Sequence, residues 1–251
     1  MLYHAFEFQN RMFEPVRDAA RMAGALFGPA LSATQGRLGR EILASWEMVG
    51  RTGFTHTRPD YGIASVRVGN REAAVTEVPV HVTPFGTLLN FRKDVAVTQP
   101  KVLLVAPLSG HFATLLRSTA RTMLQDHDVF ITDWHSARDI PWTAGRFGFD
   151  EYVEHIIDFL HVMGPGSHVV AVCQPCVQAL AAAAVMAQAG DPDQPSSMTL
   201  MAGPVDVRIN PTKVNDLATS HPYEWFERNL ISTVPLPCAG AGRRVYPGFL
   251  Q

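Results

Sequence analysis

The sequence predicts an α/β protein: a doubly wound, mostly parallel sheet with a helical segment in front of it. Three observations predict this. Apolar residues recur at helical spacing through residues 1–53. From about Tyr61 the period changes to two. After Pro100, short β-branched runs alternate strictly with helical stretches. Strands that alternate with helices become a sheet joined by crossover helices. The division expected is a helical segment over 1–53 and a partial α/β domain over 54–251.

The N-terminal segment reads as a hairpin. Phe6, Phe8, Met12, Phe13, Val16, Ala20, Ala23 and Leu26 follow helical spacing, and Gly28-Pro29 is expected to break that helix. A second helix is expected over 31–49, with Leu38, Ile42, Leu43, Trp46 and Val49 on or near one face. This hairpin either covers part of the core or docks on an apolar partner. Residues 63–68 and 74–82 then read as strands joined at Gly69-Asn70, and 87–91 as a third. Beyond Pro100, strands are expected at 101–106, 128–133, 167–172 and 198–202. Helices are expected at 112–125, at 150–163 (capped by Asp150 or a neighbour) and at 177–189.

Composition narrows the function. Hydrophobic residues make up 47% of the 251, enough for a substantial core. Charged residues are only 18% and the net charge is −2, so nucleic-acid binding has no support. The surface should instead be short of charge and suited in part to an apolar partner. No stretch is long and apolar enough to span a bilayer, and the N-terminus lacks the basic and apolar regions of a signal peptide. A cytoplasmic protein is expected. Its cysteines are Cys173, Cys176 and Cys238, an odd count without framework spacing. Cys173-Gln174-Pro175-Cys176 is formally C-x-x-C, but a zinc site would need further ligands. A redox pair would be expected early in a small fold. Neither a metal nor a cofactor is expected.

The chemistry concentrates at one corner. The run Val169-Val170-Ala171-Val172 stops at Cys173-Gln174-Pro175, and a small-residue helix follows. In α/β-hydrolases such a strand-turn-helix lifts a nucleophile above the sheet, and the next amide helps to form the oxyanion hole. The usual pattern is G-x-S-x-G. Gln174-Pro175-Cys176-Val177-Gln178 carries glutamines in place of both glycines. Read this way, Cys176 is the nucleophile, favoured by the helix N-terminus. The Val177 amide is the first oxyanion donor, and Cys173 is an inert strand residue.

The loop Pro107-Leu108-Ser109-Gly110-His111 follows the 101–106 strand. Hydrolases place the second oxyanion donor in the corresponding loop, so the amides of Leu108 and Ser109 are the candidates. His111, at the substrate cleft, is a candidate base, though packing or capping the helix start is the simpler reading. Asp133-Trp134-His135 follows the next strand; Trp134 is a candidate cleft wall and His135 a candidate for its rim. Asp206 reads as a turn former rather than a catalytic acid. His221 follows no strand and carries little weight.

Taken together, the chain resembles the intracellular poly(3-hydroxybutyrate) depolymerases along nearly its whole length. The resemblance rests on Tyr3-His4-Ala5-Phe6-Glu7, Ala106-Pro107-Leu108-Ser109-Gly110-His111, Ile131-Thr132-Asp133-Trp134 and the Val172–Val177 corner. Met201-Ala202-Gly203-Pro204-Val205-Asp206 and Asn210-Pro211-Thr212-Lys213-Val214-Asn215 add to it. It implies an α/β-hydrolase fold, hydrolysis of polyester bonds in amorphous storage granules, a cysteine nucleophile at the corner and a thioester intermediate. The granule surface is the implied partner. The family's catalytic Asp and His lie further along than Gln251, so the C-terminal core strands are expected to be missing. The alternatives are a non-catalytic granule-binding fragment and a synthase-like acyltransferase, whose Gly-flanked corner differs from this one.

Overall fold

The computed structural model describes residues 2–33, 36–53 and 56–248. Met1 and residues 249–251, counted above with the two ends, lie outside the described residues. Two helices open the chain, α1 (Leu2–Ala33) and α2 (Arg37–Gly50). They pack against each other as a hairpin. The approach is close at Gly50, where a Cβ would come within 2.9 Å of Arg21 Cγ. Arg21 Nε also donates to Gly50 O at 3.0 Å.

The expected break at Gly28-Pro29 does not occur, and α1 runs through both Pro15 and Pro29. A proline removes one helical hydrogen bond and crowds the carbonyl one turn back. Here the α1–α2 packing outweighs that cost, with Leu43 of α2 lying 3.5 Å from the Cβ position of Gly28. Within the last turn, Ser32 Oγ donates to Gly28 O at 2.8 Å.

The body of the molecule is one seven-stranded sheet. Its strands are β1 (Ser65–Val68), β2 (Arg71–Val82), β3 (Gly86–Lys93), β4 (Lys101–Val105), β5 (Asp128–Trp134), β6 (His168–Val172) and β7 (Ser197–Met201), in the spatial order β1-β2-β3-β5-β4-β6-β7. The pairings β1–β2, β2–β3 and β3–β5 are antiparallel, and β5–β4, β4–β6 and β6–β7 are parallel. The sheet is therefore mixed rather than mostly parallel. β4 and β5 are buried almost throughout, as strands covered on both faces must be. β7, at the edge among the described residues, alternates between exposed and half-buried.

Three helices cover the sheet: α3 (Arg117–Met123), α4 (Phe149–Met163) and α5 (Cys176–Ala189). A 3-10 turn over Ala113–Leu116 precedes α3, so the single helix expected at 112–125 divides in two. The N-cap of α4 is Gly148 rather than Asp150, and Glu151 Oε2 accepts from the Gly148 N–H at 2.7 Å. The crossovers β4–α3–β5 and β5–α4–β6 run in opposite directions across the sheet. Right-handed crossovers then place α3 on one face and α4 on the other, where α4 packs against α5. Ile156, Phe159 and Leu160 of α4 are buried against Leu103, Leu104 and Ile131 in one continuous core. Each such side chain contributes about 1.5–3 kcal/mol of transfer free energy.

After β7 the chain forms two short helices, α6 (Lys213–Ser220) and α7 (Tyr223–Asn229). A two-stranded ribbon follows, made of β8 (Ser232–Thr233) and β9 (Arg244–Val245).

Candidate active site

The sheet has a topological switch point. From β4 the chain first moves to β5 on one side, then crosses to β6 on the other. The loops leaving the carboxyl ends of β4 and β6 therefore diverge from adjacent strands, the place where open α/β sheets form their binding crevices. Both loops singled out in the sequence lie there.

The β6 loop forms the sharp corner that the sequence predicts, but the corner residue is Cys173. β6 ends at Val172, and α5 begins at Cys176 with Pro175 as its N-cap. Cys173 sits at the turn with φ 68°, a left-handed backbone uncommon for a residue with a side chain. Two hydrogen bonds hold it there: Cys173 N donates to Met201 O at 2.8 Å, and its own carbonyl accepts from Cys176 N at 3.2 Å. The Cys173 side chain is exposed, whereas Cys176 is completely buried.

Cys173 therefore stands at the corner with its side chain exposed, and Cys176 lies beneath it. The Cys176 thiol donates inward, to Ala171 O at 3.3 Å and Met201 O at 3.6 Å. Burial pushes that thiol above its ordinary range, which disfavours the thiolate that does the chemistry. Gly203 closes over it. A Cβ at 203 would lie 2.1 Å from Cys176 Cβ and 2.9 Å from Cys173 O. Cys176 is a core residue. The amide that follows the corner cysteine is then Gln174 N rather than Val177 N. Among the described residues no acceptor pairs with Gln174 N, as an oxyanion donor requires.

The β4 loop is anchored from beneath. The Ala106 carbonyl accepts from Trp134 Nε1 at 2.9 Å and from Tyr152 Oη at 3.0 Å, and Ala106 N donates to Thr132 Oγ1 at 2.9 Å. Trp134 is thus not a cleft wall. Its ring is buried among Phe147, Tyr152 and Phe159, and its N–H holds the root of the loop. Tyr152 shares this work and went unnoticed in the sequence, where it reads only as an apolar position of α4. Leu108 and Ser109 are both exposed at the loop tip. The Leu108 amide, a candidate donor, already donates to Gln174 Oε1 at 3.0 Å. That bond ties the two strand ends together.

The histidines take other positions. His111 is exposed, and its Nδ1 lies 3.1 Å from Ser109 O. His135 spends both ring nitrogens away from the corner: Nδ1 is 3.1 Å from Pro84 O, and Nε2 is 2.9 Å from Thr87 Oγ1. A carbonyl can only accept, so Nδ1 carries the proton and Nε2 accepts from Thr87. His135 joins β3 to β5 and is not at a cleft rim. Asp206 forms a turn, accepting from Arg208 N at 3.1 Å and pairing with the Arg208 side chain, whose hydrogen bond holds the carboxyl below its usual range. His221 stacks on Trp225 with ring centroids 4.0 Å apart. The Cys173 thiol has no histidine partner among the described residues.

A group that could hold a cation exists elsewhere: His161, Asp191 and Asp193. It joins the last turn of α4 to the loop after α5, at the opposite end of the sheet from Cys173. There His161 and Asp191 already pair with each other at 2.6 Å.

Comparison with known families adds one finding. Residues 202–251 match the family model described as PHB de-polymerase C-terminus. That match supports the polyhydroxybutyrate depolymerase family. It covers the stretch that begins immediately after β7 and includes Gly203, which packs on the cysteine corner. No curated protein matches the chain. No described helix is long and apolar enough to cross a membrane.

Proposed function

We propose that this chain carries the nucleophile of an intracellular polyhydroxybutyrate depolymerase of the α/β-hydrolase fold, with Cys173 in that role. The observation that carries the reading is Cys173 itself: an exposed thiol on a left-handed backbone, at a strand-to-helix corner beside the switch point. Strain of this kind is retained where a side chain must project above the sheet. The family match over 202–251 supports the substrate class, and the low charge fraction suits a protein that works on granules of an apolar polyester.

In the proposed reaction the Cys173 thiolate attacks the ester carbonyl carbon. A C–S bond forms and the carbonyl π pair moves to oxygen. The Gln174 N–H and the positive end of α5 face that developing charge. Collapse of the intermediate breaks the ester C–O bond, and the shortened polymer leaves as an alkoxide that takes up a proton. A thioester on Cys173 remains, and water releases it as a hydroxybutyrate carboxylate. No oxidation or reduction occurs.

The test is release of soluble 3-hydroxybutyrate from amorphous polyhydroxybutyrate beads. Cys173→Ala should abolish it, while Cys176→Ala should keep most of it. Release that survives Cys173→Ala, or that is lost equally in Cys176→Ala, would overturn the reading.

A further inference from the structure

We infer that the Gln174 side chain, not the β4-loop backbone, supplies the second oxyanion donor. This inference rests on the reading of Cys173 as nucleophile. Gln174 directly follows Cys173, and its side chain reaches across to the β4 loop, where Oε1 accepts the Leu108 N–H at 3.0 Å. A backbone N–H only donates, so this bond fixes which way the amide is turned. Oε1 faces Leu108 and the Nε2 group faces away from it. Nε2 has no protein partner among the described residues, nor is it one of the buried unpaired atoms. Nε2 of this half-buried side chain therefore keeps some contact with solvent beside the β4 and β6 loops.

The Leu108 amide is occupied by the same contact. Two arrangements follow from one hydrogen bond, and they predict opposite signs. If the amide merely plugs the Leu108 donor, an ester oxygen must displace it, and Gln174 slows the reaction. If Leu108 holds the amide in place, Nε2 donates to the oxyanion beside the Gln174 backbone N–H. We commit to the second. One residue then contributes both donors, and the Leu108 loop acts by orienting it. A planar amide held at its oxygen by a backbone donor is preorganised, as an oxyanion donor must be.

The experiment separates acylation from alkylation of the same thiol. Acylation of Cys173 by p-nitrophenyl butyrate passes through an oxyanion. The sulfur adds to the carbonyl carbon, the π pair moves to oxygen, and p-nitrophenolate leaves as a thioester forms. Alkylation by iodoacetamide displaces iodide in one step and builds no oxyanion. Both rates are measured on the full 251-residue chain, with mass spectrometry locating the adduct. The variants are Gln174→Glu, which keeps the acceptor and removes the donor, and Gln174→Met, which keeps length and removes both.

In Gln174→Met acylation should fall by about 10²-fold, the usual loss for one donor, while alkylation of Cys173 stays within about twofold. In Gln174→Glu, whose carboxylate slows both reactions by disfavouring the thiolate, the ratio of acylation to alkylation should fall by the same factor. Unchanged or faster acylation in Gln174→Met, with alkylation intact, overturns the Gln174 role and leaves Cys173 as nucleophile. A parallel loss of both rates in Gln174→Met means the corner itself has collapsed and also overturns a selective role. A wild-type Cys173 that alkylates but is not acylated overturns both this inference and the reading it rests on.

Discussion

At the scale of single residues, two cysteines three positions apart have opposite environments. Cys173 projects from a strained corner, and Cys176 is sealed beneath it by Gly203. The sequence shows the corner but not which cysteine occupies it, because the G-x-S-x-G spacing centres on Cys176. The signal that separates them is present. The β-branched run ends at Val172, and Pro175 suits a helix start but not a helix interior. The residues left to turn the chain are Cys173 and Gln174. Gly203→Ala should destabilise the protein by about 1–3 kcal/mol through overpacking, read as a lower urea midpoint. Cys176→Ala should fail to rescue it, because the clash is with Cβ, 2.1 Å away, as well as with sulfur. Full rescue would show that the thiol alone fills the space. Tyr152→Phe removes one of two donors to the Ala106 carbonyl. It should cost about 0.5–1.5 kcal/mol and slow Cys173 acylation without changing its alkylation. Equal slowing of both would assign Tyr152 to packing alone.

At the scale of elements, the N-terminal hairpin is attached to the body by charge. Glu7 is buried on α1 and meets the Arg138 guanidinium through both carboxylate oxygens, at 2.5 and 2.9 Å, while Tyr3 Oη accepts from the same arginine at 3.0 Å. Burial alone would raise the Glu7 pKa, but the hydrogen bond and charge of Arg138 outweigh it and hold the carboxyl below its ordinary value of 4.5. The folded state thus binds this proton less readily than the unfolded chain. The stabilisation is complete above 4.5 and drains away as pH falls through the lowered value. Acid should therefore loosen α1 before the sheet, seen as faster amide exchange at residues 2–10. Glu7→Gln should cost about 3 kcal/mol, the low end for a buried pair that loses one partner, and should flatten that acid response. An unchanged acid profile in Glu7→Gln would place the titrating group elsewhere.

The same hairpin carries Phe8, Met12 and Val16 on one exposed face. Under the granule proposal, Phe8→Ser with Met12→Ser should weaken co-sedimentation with amorphous polymer beads by at least about tenfold, given about 1.5–3 kcal/mol per side chain buried. Acylation of Cys173 by a soluble ester should not change. Loss of both would make the face part of the fold. The helical period of this segment is legible in the sequence, but the survival of α1 across Pro29 is not. That depends on packing against α2, which no local rule contains.

At the scale of the whole molecule, the sequence shows the alternating strands and helices but not their order in space. Short apolar runs such as Val102–Val105 and Val129–Ile131 mark buried strands in an α/β sheet. Nothing local says that β5 and β6 flank β4 on opposite sides. That arrangement makes the switch point, and it brings Leu108 within hydrogen-bond reach of Gln174 across 66 residues of chain. The same gap explains Trp134 and His135. Their place at a strand end is legible, but which way they face is set by neighbours distant in sequence, Tyr152 and Ala106 for one and Thr87 and Pro84 for the other.

The central claim is that Cys173 is the acyl-accepting thiol. The most direct measurement is brief exposure of the native chain to p-nitrophenyl butyrate, acid quenching, and fragment-ion mass spectrometry of the peptide that contains both cysteines. A butyryl mass is expected on Cys173 and none on Cys176. A butyryl group on Cys176, or one shared equally between the two, would contradict it.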